Sequence, residues 1–354
     1  MTRVLFTGYP GFLGSELLPR LLKRDPSAEA VCIVQPKFAP LALQRAQQSG
    51  FAKRIRLVEG DITVPGLATS LAADDISEIY HLAAIYDLSV PRALGMRVNV
   101  DGTHHVLDFA EKSRALKRMH YISTCYVSGR HPGTFAESDL EVGQHFNNFY
   151  EETKYLAELD VQQRMRRGLP VTIYRPSVVV GDSRTGVTQK FDGPYYVIQW
   201  MLRQGRYAVL PAIGNGSRYR VNVVPRDFII DAIDYISSRA DTAGKVFQLA
   251  DPEPPTVTQA TISIAKATKQ RILPVPMTRG MAKAAIKYVP GVYRLMRIPA
   301  ATIDYYVHPT LYDTRNTTAA LQGSGIAVPR LRDYLPVLVD FVRAHPEIGS
   351  AAMV

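Results

Sequence analysis

Cysteine is scarce in this chain, and long apolar runs are missing. The two cysteines, Cys32 and Cys125, sit in apolar stretches, and neither belongs to a CxxC pair or a His-rich cluster. That excludes a disulfide framework and a zinc site of the usual spacing, and leaves a reduced, cytoplasmic protein without a metal as the expectation. The most apolar windows, around residues 195–202 and 281–306, are broken by Gln199, Arg203, Lys283, Lys287, Arg294 and Arg297. They fall short of the roughly 18 uninterrupted apolar residues that a spanning helix requires. No low-complexity tract and no internal repeat occurs. The first strand-like run, Arg3-Val4-Leu5-Phe6-Thr7, follows Met1 too closely for a charged region, an apolar stretch and a cleavage site to precede it. No secretion signal is expected.

What remains is the composition of a folded protein: 354 residues, 46% hydrophobic and 21% charged, enough for one large or two modest units. The formal charge of +10 admits an acidic substrate or cofactor, an anionic membrane surface, or nucleic acid. The basic residues are dispersed and no nucleic-acid-binding module accompanies them, so a phosphate-bearing ligand accounts for the excess with fewer assumptions.

The first 180 residues alternate short β-branched runs with longer helical patterns. Strands are expected near 3–7, 30–35, 55–59, 78–83, 117–123 and 170–175, and amphipathic helices over 13–23, 91–112 and 147–167. Strands alternating with crossover helices make a doubly wound, Rossmann-type α/β fold with a parallel sheet. Residues 1–185 are expected to carry the dinucleotide site and the catalytic groups. Residues 186–354 lose the alternation and are expected to build a smaller, partly interleaved substrate-binding region, with a strand near 246–250 returning to the sheet.

The first strand runs into Thr7-Gly8-Tyr9-Pro10-Gly11-Phe12-Leu13-Gly14. Glycines at this spacing, between a strand and a helix, allow a tight turn, a close approach to a pyrophosphate and a helix N-terminus facing the phosphates. At the end of the second strand, Val31-Cys32-Ile33-Val34 continues into Gln35-Pro36-Lys37, where an NAD-selective site would present an acid. Lys37, and after it Arg45, is the candidate to neutralise a ribose 2′-phosphate, which favours NADP(H); the alternative for Lys37 is a solvated surface lysine. In Gly60-Asp61-Ile62, the Asp61 carboxylate either accepts from an adenine amino group or caps the following turn. His81-Leu82-Ala83-Ala84 ends the fourth strand with small residues beside which a cofactor can lie, and His81 itself reads as a packed strand histidine.

Tyr150-Glu151-Glu152-Thr153-Lys154 opens a helix, and a spacing of four places Tyr150 and Lys154 on one face. A phenol titrates near 10 unless a neighbouring ammonium favours its ionised form, so Lys154 is expected to tune Tyr150. Thr124, after the fifth strand in Tyr121-Ile122-Ser123-Thr124-Cys125, is expected to hydrogen-bond the substrate oxygen, while strand alternation turns Ser123 the other way. Asn99 lies on the long helix before them, either supporting the lysine through a water or as an ordinary polar helix residue.

Together these residues resemble an extended short-chain dehydrogenase/reductase, in chain order over roughly the first 185 positions. The resemblance implies phosphate-binding roles for Gly8, Gly11 and Gly14, a catalytic triad of Thr124, Tyr150 and Lys154, and nicotinamide contacts from Pro176 and Ser177 in Arg175-Pro176-Ser177. Gly11-Phe12-Leu13-Gly14, His81-Leu82-Ala83-Ala84 and Ser123-Thr124 are most similar to the male-sterility-type branch, the reductases of fatty acyl and carrier-bound thioesters. That branch usually has an arginine where Gln35 stands. What it implies is an NADPH-dependent reductase of a carbonyl or thioester on a hydrophobic or coenzyme-A-linked substrate, with a homodimer common in the family. Hydroxysteroid-type dehydrogenases, sugar-nucleotide epimerases or dehydratases, and a dinucleotide-binding sensor without turnover share the same motifs. A dehydratase carries an acidic pair beside the threonine, where this chain has Cys125 and Tyr126. Residues 281–306 mix apolar residues with Lys and Arg, which suits a lid, a channel for an acyl chain or peripheral contact with an anionic bilayer.

Overall fold

The computed structural model describes residues 2–290 and 296–350. Its strands are β1 (Arg3–Thr7), β2 (Glu29–Val34), β3 (Ile55–Glu59), β4 (Glu78–His81), β5 (Arg118–Ile122), β6 (Gly133–Phe135), β7 (Val171–Pro176), β8 (Val178–Val180), β9 (Tyr207–Ile213), β10 (Val223–Pro225), β11 (Val246–Leu249), β12 (Arg271–Met277) and β13 (Thr310–Tyr312). Seven of them form one parallel sheet in the order β11-β7-β5-β4-β1-β2-β3. This is the doubly wound α/β sheet expected from the alternating pattern.

Side chains on a strand alternate between faces, and both faces of this sheet are buried. Val4, Phe6 and Cys32 point to one core, shared with Leu17, Leu18 and Leu21 of α1 (Gly14–Arg24) and Ala42 and Ala46 of α2 (Ala39–Gln48). Leu5, Val31 and Ile33 point to the other. There they meet Val106 and Leu107 of α4 (Gly102–Lys112) and Ala157 and Val161 of α5 (Phe149–Arg166). The long helix expected over 91–112 is divided: α3 (Arg92–Gly95) passes through a π-helical segment, Met96–Asp101, before α4. The chain order reverses between β1 and β4, and ligands of open α/β sheets bind in the crevice at such a switch point.

Beyond β8 the chain weaves in and out of this frame. α6 (Pro194–Leu202), α8 (Val257–Thr268) and the last helix, Leu331–Ala344, enclose a third core with Val180, Leu210 and Val223. α7 (Arg226–Ser237) returns to the sheet and packs beside α1, β11 adds the strand next to β7, and β13 pairs with β6. Of the segment 281–306, residues 291–295 lie outside the described part. α9 (Arg279–Tyr288) packs Ala282 and Ile286 inward and leaves Met281 and Tyr288 exposed, while the 3-10 turn Ala300–Val307 faces the interior. Among the described residues no helix is long and apolar enough to cross a membrane, and no group of three or more His, Cys, Asp or Glu is placed to hold a metal ion.

Candidate active site

A cleft of about 560 Å³ opens at the carboxyl ends of β1 and β4. It is lined by Thr7, Gly8, Gly11, Phe12, Leu13, Gly14, Lys37, Asp61, Ile62, Leu82, Ala83 and Ala84 on one side and by Thr124, Tyr150, Lys154, Pro176 and Ser177 on the other. Asn99, also expected at the site, stands behind the wall.

The turn after β1 is built for glycine. Gly8 has φ +87°, and a Cβ there would lie 2.7 Å from the backbone of Leu82 and Ala83; one on Gly14 would lie 2.6 Å from the Gly8 carbonyl oxygen. The glycines therefore bring β1, the β4 loop and α1 into direct backbone contact. α1 starts without a side-chain cap: the Ser15, Glu16 and Leu17 N–H groups bond the Gly11 and Leu13 carbonyls, while no backbone acceptor among the described residues takes the N–H groups of Phe12, Leu13 and Gly14, which line the cleft. Two buried hydroxyls in the cleft wall, Tyr9 Oη and Ser177 Oγ, meet no partner among the described residues. Orphaned buried polar groups are costly and mark where a polar ligand fits.

Tyr150 is the second residue of α5, whose N-cap, Asn148, accepts the Glu151 N–H at 3.1 Å. The cap fixes the first turn and with it the phenol. The Thr124 hydroxyl hydrogen-bonds Tyr150, and Tyr86 packs edge-on to the phenol ring with centroids 5.0 Å apart. Burial pushes the Tyr150 phenol above its ordinary range, against the hydrogen bond from Thr124. Lys154 is buried one helical turn further on; its Nζ donates to Tyr121 Oη at 3.0 Å and to the Ile122 carbonyl at 2.9 Å. Burial lowers its ammonium to about 7, with Glu158 acting in the opposite direction. The expected tuning of Tyr150 by Lys154 is thus not in place here. Desolvation dominates both groups, and the lysine is engaged by the end of β5.

Several other expected residues are engaged differently from their anticipated roles. The Asn99 amide accepts from Ile85 N at 2.9 Å and donates to Thr153 Oγ1 at 3.1 Å, so it pins the loop after β4 to α5 rather than serving the lysine directly. Asp61 takes the capping role, accepting from Thr63 N at 2.8 Å and from Gln35 Nε2 at 2.9 Å. Thr7 Oγ1 lies 2.7 Å from His81 Nδ1, and His81 Nε2 lies 3.0 Å from Thr103 Oγ1. His81 is a packed, neutral histidine, lowered to about 3 by burial and by Lys154. Lys37 is exposed at the rim, its Nζ 5.0 Å from the Phe38 ring. Ser123 turns away from Thr124 as strand alternation requires and donates to buried Glu158.

Sequence reasoning missed three features. Arg97 lines the cleft as an exposed cation. Lys190, far along the chain, bonds Asp192 at 2.6 Å and the Tyr86 carbonyl at 3.1 Å, so the segment after β8 is tied across the cleft to the loop after β4. The third is an apolar cavity of about 110 Å³ that shares Tyr86, Tyr126, Tyr150 and Val178 with the cleft and is otherwise walled mainly by Val, Leu and Ile side chains such as Val197, Val223, Ile264 and Leu335. Of its walls only Thr302, Tyr305 and Tyr306 of the 3-10 turn fall in the segment 281–306, where a channel for an acyl chain is one expectation; those from α6, α8 and the last helix are not foreseen.

Residues 6–233 match the male sterility protein family. Aldehyde reductase lnaA of Aspergillus flavus is 30% identical over 275 residues, covering 71% of this chain and 26% of that protein. Glycine betaine reductase ATRR of Emericella nidulans is 28% identical over 276 residues, covering 71% of this chain and 21% of that protein. The chain spans about a quarter or less of the length of these two relatives. Among solved structures, the terminal R domain from the myxalamid PKS-NRPS biosynthetic pathway superposes with a TM-score of 0.84 at 24% identity, covering 98% of this chain and 91% of that one. UDP-glucuronic acid 4-epimerase from Bacillus cereus in complex with NAD gives a TM-score of 0.68 at 21% identity, covering 99% of both chains. These likenesses establish the fold.

Proposed function

The chain belongs to the male sterility protein family, within the extended short-chain dehydrogenases/reductases, and from that membership we propose that it is an NADPH-dependent reductase of a carbonyl or thioester carbon on a hydrophobic, coenzyme-A-type substrate. The observation that carries this proposal is the junction at Tyr150, where a cleft of mixed polar and apolar lining, suited to a dinucleotide, meets an almost wholly apolar cavity. Residues 1–185 then supply the cofactor side and the proton, and residues 186–354 most of the substrate side.

The glycine turn and the uncapped start of α1 would hold the pyrophosphate, with Ser177 and Pro176 at the nicotinamide end. When bound, the reduced nicotinamide supplies the hydride. Thr124 and Tyr150 present two hydroxyls to one substrate oxygen, and Tyr150 delivers its proton there as the carbon is reduced. A phenol held protonated by burial suits this direction of reaction. The Val and Leu walls of the cavity favour this substrate class over a nucleotide sugar, which would need polar partners.

Lys37 is the proposed 2′-phosphate contact, because the end of β2 offers no acid to the ribose hydroxyls and the Asp61 carboxylate is taken by Gln35. Lys37→Ala should weaken NADPH by roughly tenfold or more and leave NADH within about twofold. An equal loss for both, measured by fluorescence titration, would remove the assignment.

Lys154 makes binding pH-dependent. In the free cleft its ammonium titrates near 7, and the phosphates of a dinucleotide favour the charged form, so the protein takes up a proton on binding above that pH. Affinity is full below about pH 7 and declines as pH rises through it, by roughly tenfold between about pH 6 and 8. Lys154→Met should flatten the profile. A wild-type slope that survives in the variant would assign the titration elsewhere.

The function as a whole is tested by NADPH oxidation with long-chain acyl-CoAs, aldehydes, ketones and nucleotide sugars in parallel. Consumption with the first two classes is expected; consumption with none would favour a binding protein without turnover.

A further inference from the structure

Lys and Arg residues are spread along the whole chain, but Asp and Glu residues are not. Residues 193–226 and 254–303 contain no acid and carry 13 Lys and Arg, so the formal excess of +10 resides wholly in these two segments and the rest of the chain is slightly acidic. The fold joins the two. β9 from the first pairs in parallel with β12 from the second, with Tyr207 beside Arg271, Val209 beside Leu273 and Pro211 beside Val275. One face of this two-stranded sheet, through Ala208, Leu210 and Ile272, packs on the core that includes Val197 and Ile264 of the apolar cavity wall. The other face is open, and its Tyr207, Val209, Leu273 and Val275 are between 42% and 49% exposed. α9 lies on this open side, because its Ala282 and Ile286 cluster with Ile213 and Met277, which strand alternation places on the face of Val209 and Leu273. It adds Met281 and Tyr288, 60% and 70% exposed.

Both edges of the sheet are closed to an incoming strand. Arg271 N donates to the Arg206 carbonyl at 2.9 Å, so Pro274 and Pro276 turn their backbone to the edge away from β9, where neither has an N–H to offer. On the far edge of β9, Val209 N is taken by Gln204 Oε1 and the Val209 carbonyl by Trp200 Nε1, both at 2.8 Å. A partner therefore lies on the face rather than extending the sheet. The surroundings set its chemistry. Arg206, Lys269 and Arg271 are exposed at the end where Tyr207 stands, and Lys287 is exposed on α9. Asp304 pairs with Arg279 and Lys283, but among the described residues Arg206, Lys269 and Arg271 have no ion pair. An exposed apolar patch with a polar rim marks an interaction site. Apolar side chains flanked by unpaired cations combine the two attractions that hold a protein on an anionic bilayer, burial among the acyl chains and Coulombic attraction to the headgroups.

We propose that the open face of the β9–β12 sheet, together with α9, is a docking surface for an anionic bilayer, which the protein contacts peripherally. Because the covered face of the same sheet packs on residues that wall the apolar cavity, docking sets the substrate side of the protein against the membrane. The proposal concerns binding alone and stands or falls independently of the reductase function.

The full chain is sedimented, without cofactor or substrate, with vesicles of phosphatidylcholine containing about 30 mol% phosphatidylglycerol and with vesicles of phosphatidylcholine alone. Partitioning should be stronger on the anionic vesicles by roughly tenfold or more at low salt, and should fall as salt screens the headgroups. Arg206→Gln, Lys269→Gln and Arg271→Gln together should weaken it by about fivefold per charge removed. Leu273→Thr with Val275→Thr, which keeps strand-forming residues on the open face, should weaken it by roughly tenfold through lost apolar area. Lys112, Arg114 and Lys117, exposed around the end of α4, provide the control: changing these three to Gln removes the same charge and should leave partitioning within about threefold. Thermal unfolding checks that each variant is folded, and Arg271→Gln or Leu273→Thr alone replaces a combination that is not. The proposal is overturned if the wild-type protein shows no preference for anionic vesicles, if the control triple weakens binding as much as the first, or if the apolar variant binds like the wild-type protein. Binding to soluble polyglutamate in preference to the vesicles would assign the face to an acidic protein and overturn it as well.

Discussion

Tyr150→Phe should lower turnover by about 10²–10⁴-fold while NADPH binds within about twofold of the wild-type protein. The phenyl ring keeps the edge-on packing against Tyr86, at 5.0 Å between centroids, and α5 keeps its Asn148 cap, so the fold has no reason to change. What is lost is the proton. Tyr150 stands where the cleft meets the apolar cavity, and its phenol is held protonated by burial. Thr124 hydrogen-bonds it and also lies 3.4 Å from the Pro176 carbonyl, so the threonine can position an oxygen but has no base behind it to replace the proton. Single-turnover NADPH oxidation measures the chemical step, and calorimetry measures the affinity. Activity retained within tenfold would overturn the assignment of Tyr150 as the proton donor.

The sheet was legible because β-strands buried on both faces leave unbroken β-branched runs, and those of β1 to β5 and β7 are bounded by glycine, proline and charged turns. Positions whose role is set within one turn of chain were readable too: the Gly8 to Gly14 spacing, and the Tyr150–Lys154 pair on one helix. Roles that depend on what faces a residue across the fold were not. Asp61 offered two uses to the sequence; the fold shows the turn cap to Thr63 and adds a bond from Gln35, 26 positions earlier, that no local pattern announces. Asn99 looked like a partner for Lys154, but the loop at Ile85 takes its amide. The part of the cavity wall outside 281–306 escaped notice because an amphipathic helix announces that it buries one face without saying whether the face meets a core or lines a space. Tyr305 is the sharpest instance: its hydroxyl donates to Glu151 at 2.6 Å and accepts from Asn148 at 2.8 Å, joining residues more than 150 positions apart at the turn that presents Tyr150.

Arg175→Met should destabilise the protein by about 3–5 kcal/mol, the cost of leaving a buried carboxylate without its cation. Arg175 and Glu158 both have side chains fully shielded from solvent, joined at 2.6 Å, with a second contact from Nε at 3.0 Å. The guanidinium also donates to the Asp139 carbonyl at 2.7 Å and lies over the Phe135 ring at 5.3 Å. Glu158 receives Ser123 and, at 2.9 Å, Gln162. In sequence Arg175 ends a strand and Glu158 is one polar residue among many on a helix; only the packing of α5 against β7 makes them a pair. Arg175→Lys should recover less than half of the loss, because one ammonium cannot satisfy a planar fork of donors. Arg175→Met combined with Glu158→Leu should be milder than the sum of the single changes, since it removes the unpaired charge as well as its partner. Denaturant unfolding of the four proteins measures this coupling, and additive losses would mean that the pair is not energetically joined. Catalysis supplies an independent readout. Ser123, tied to Glu158, directly precedes Thr124, so even the double variant should lose kcat through a misplaced threonine while keeping its affinity for NADPH.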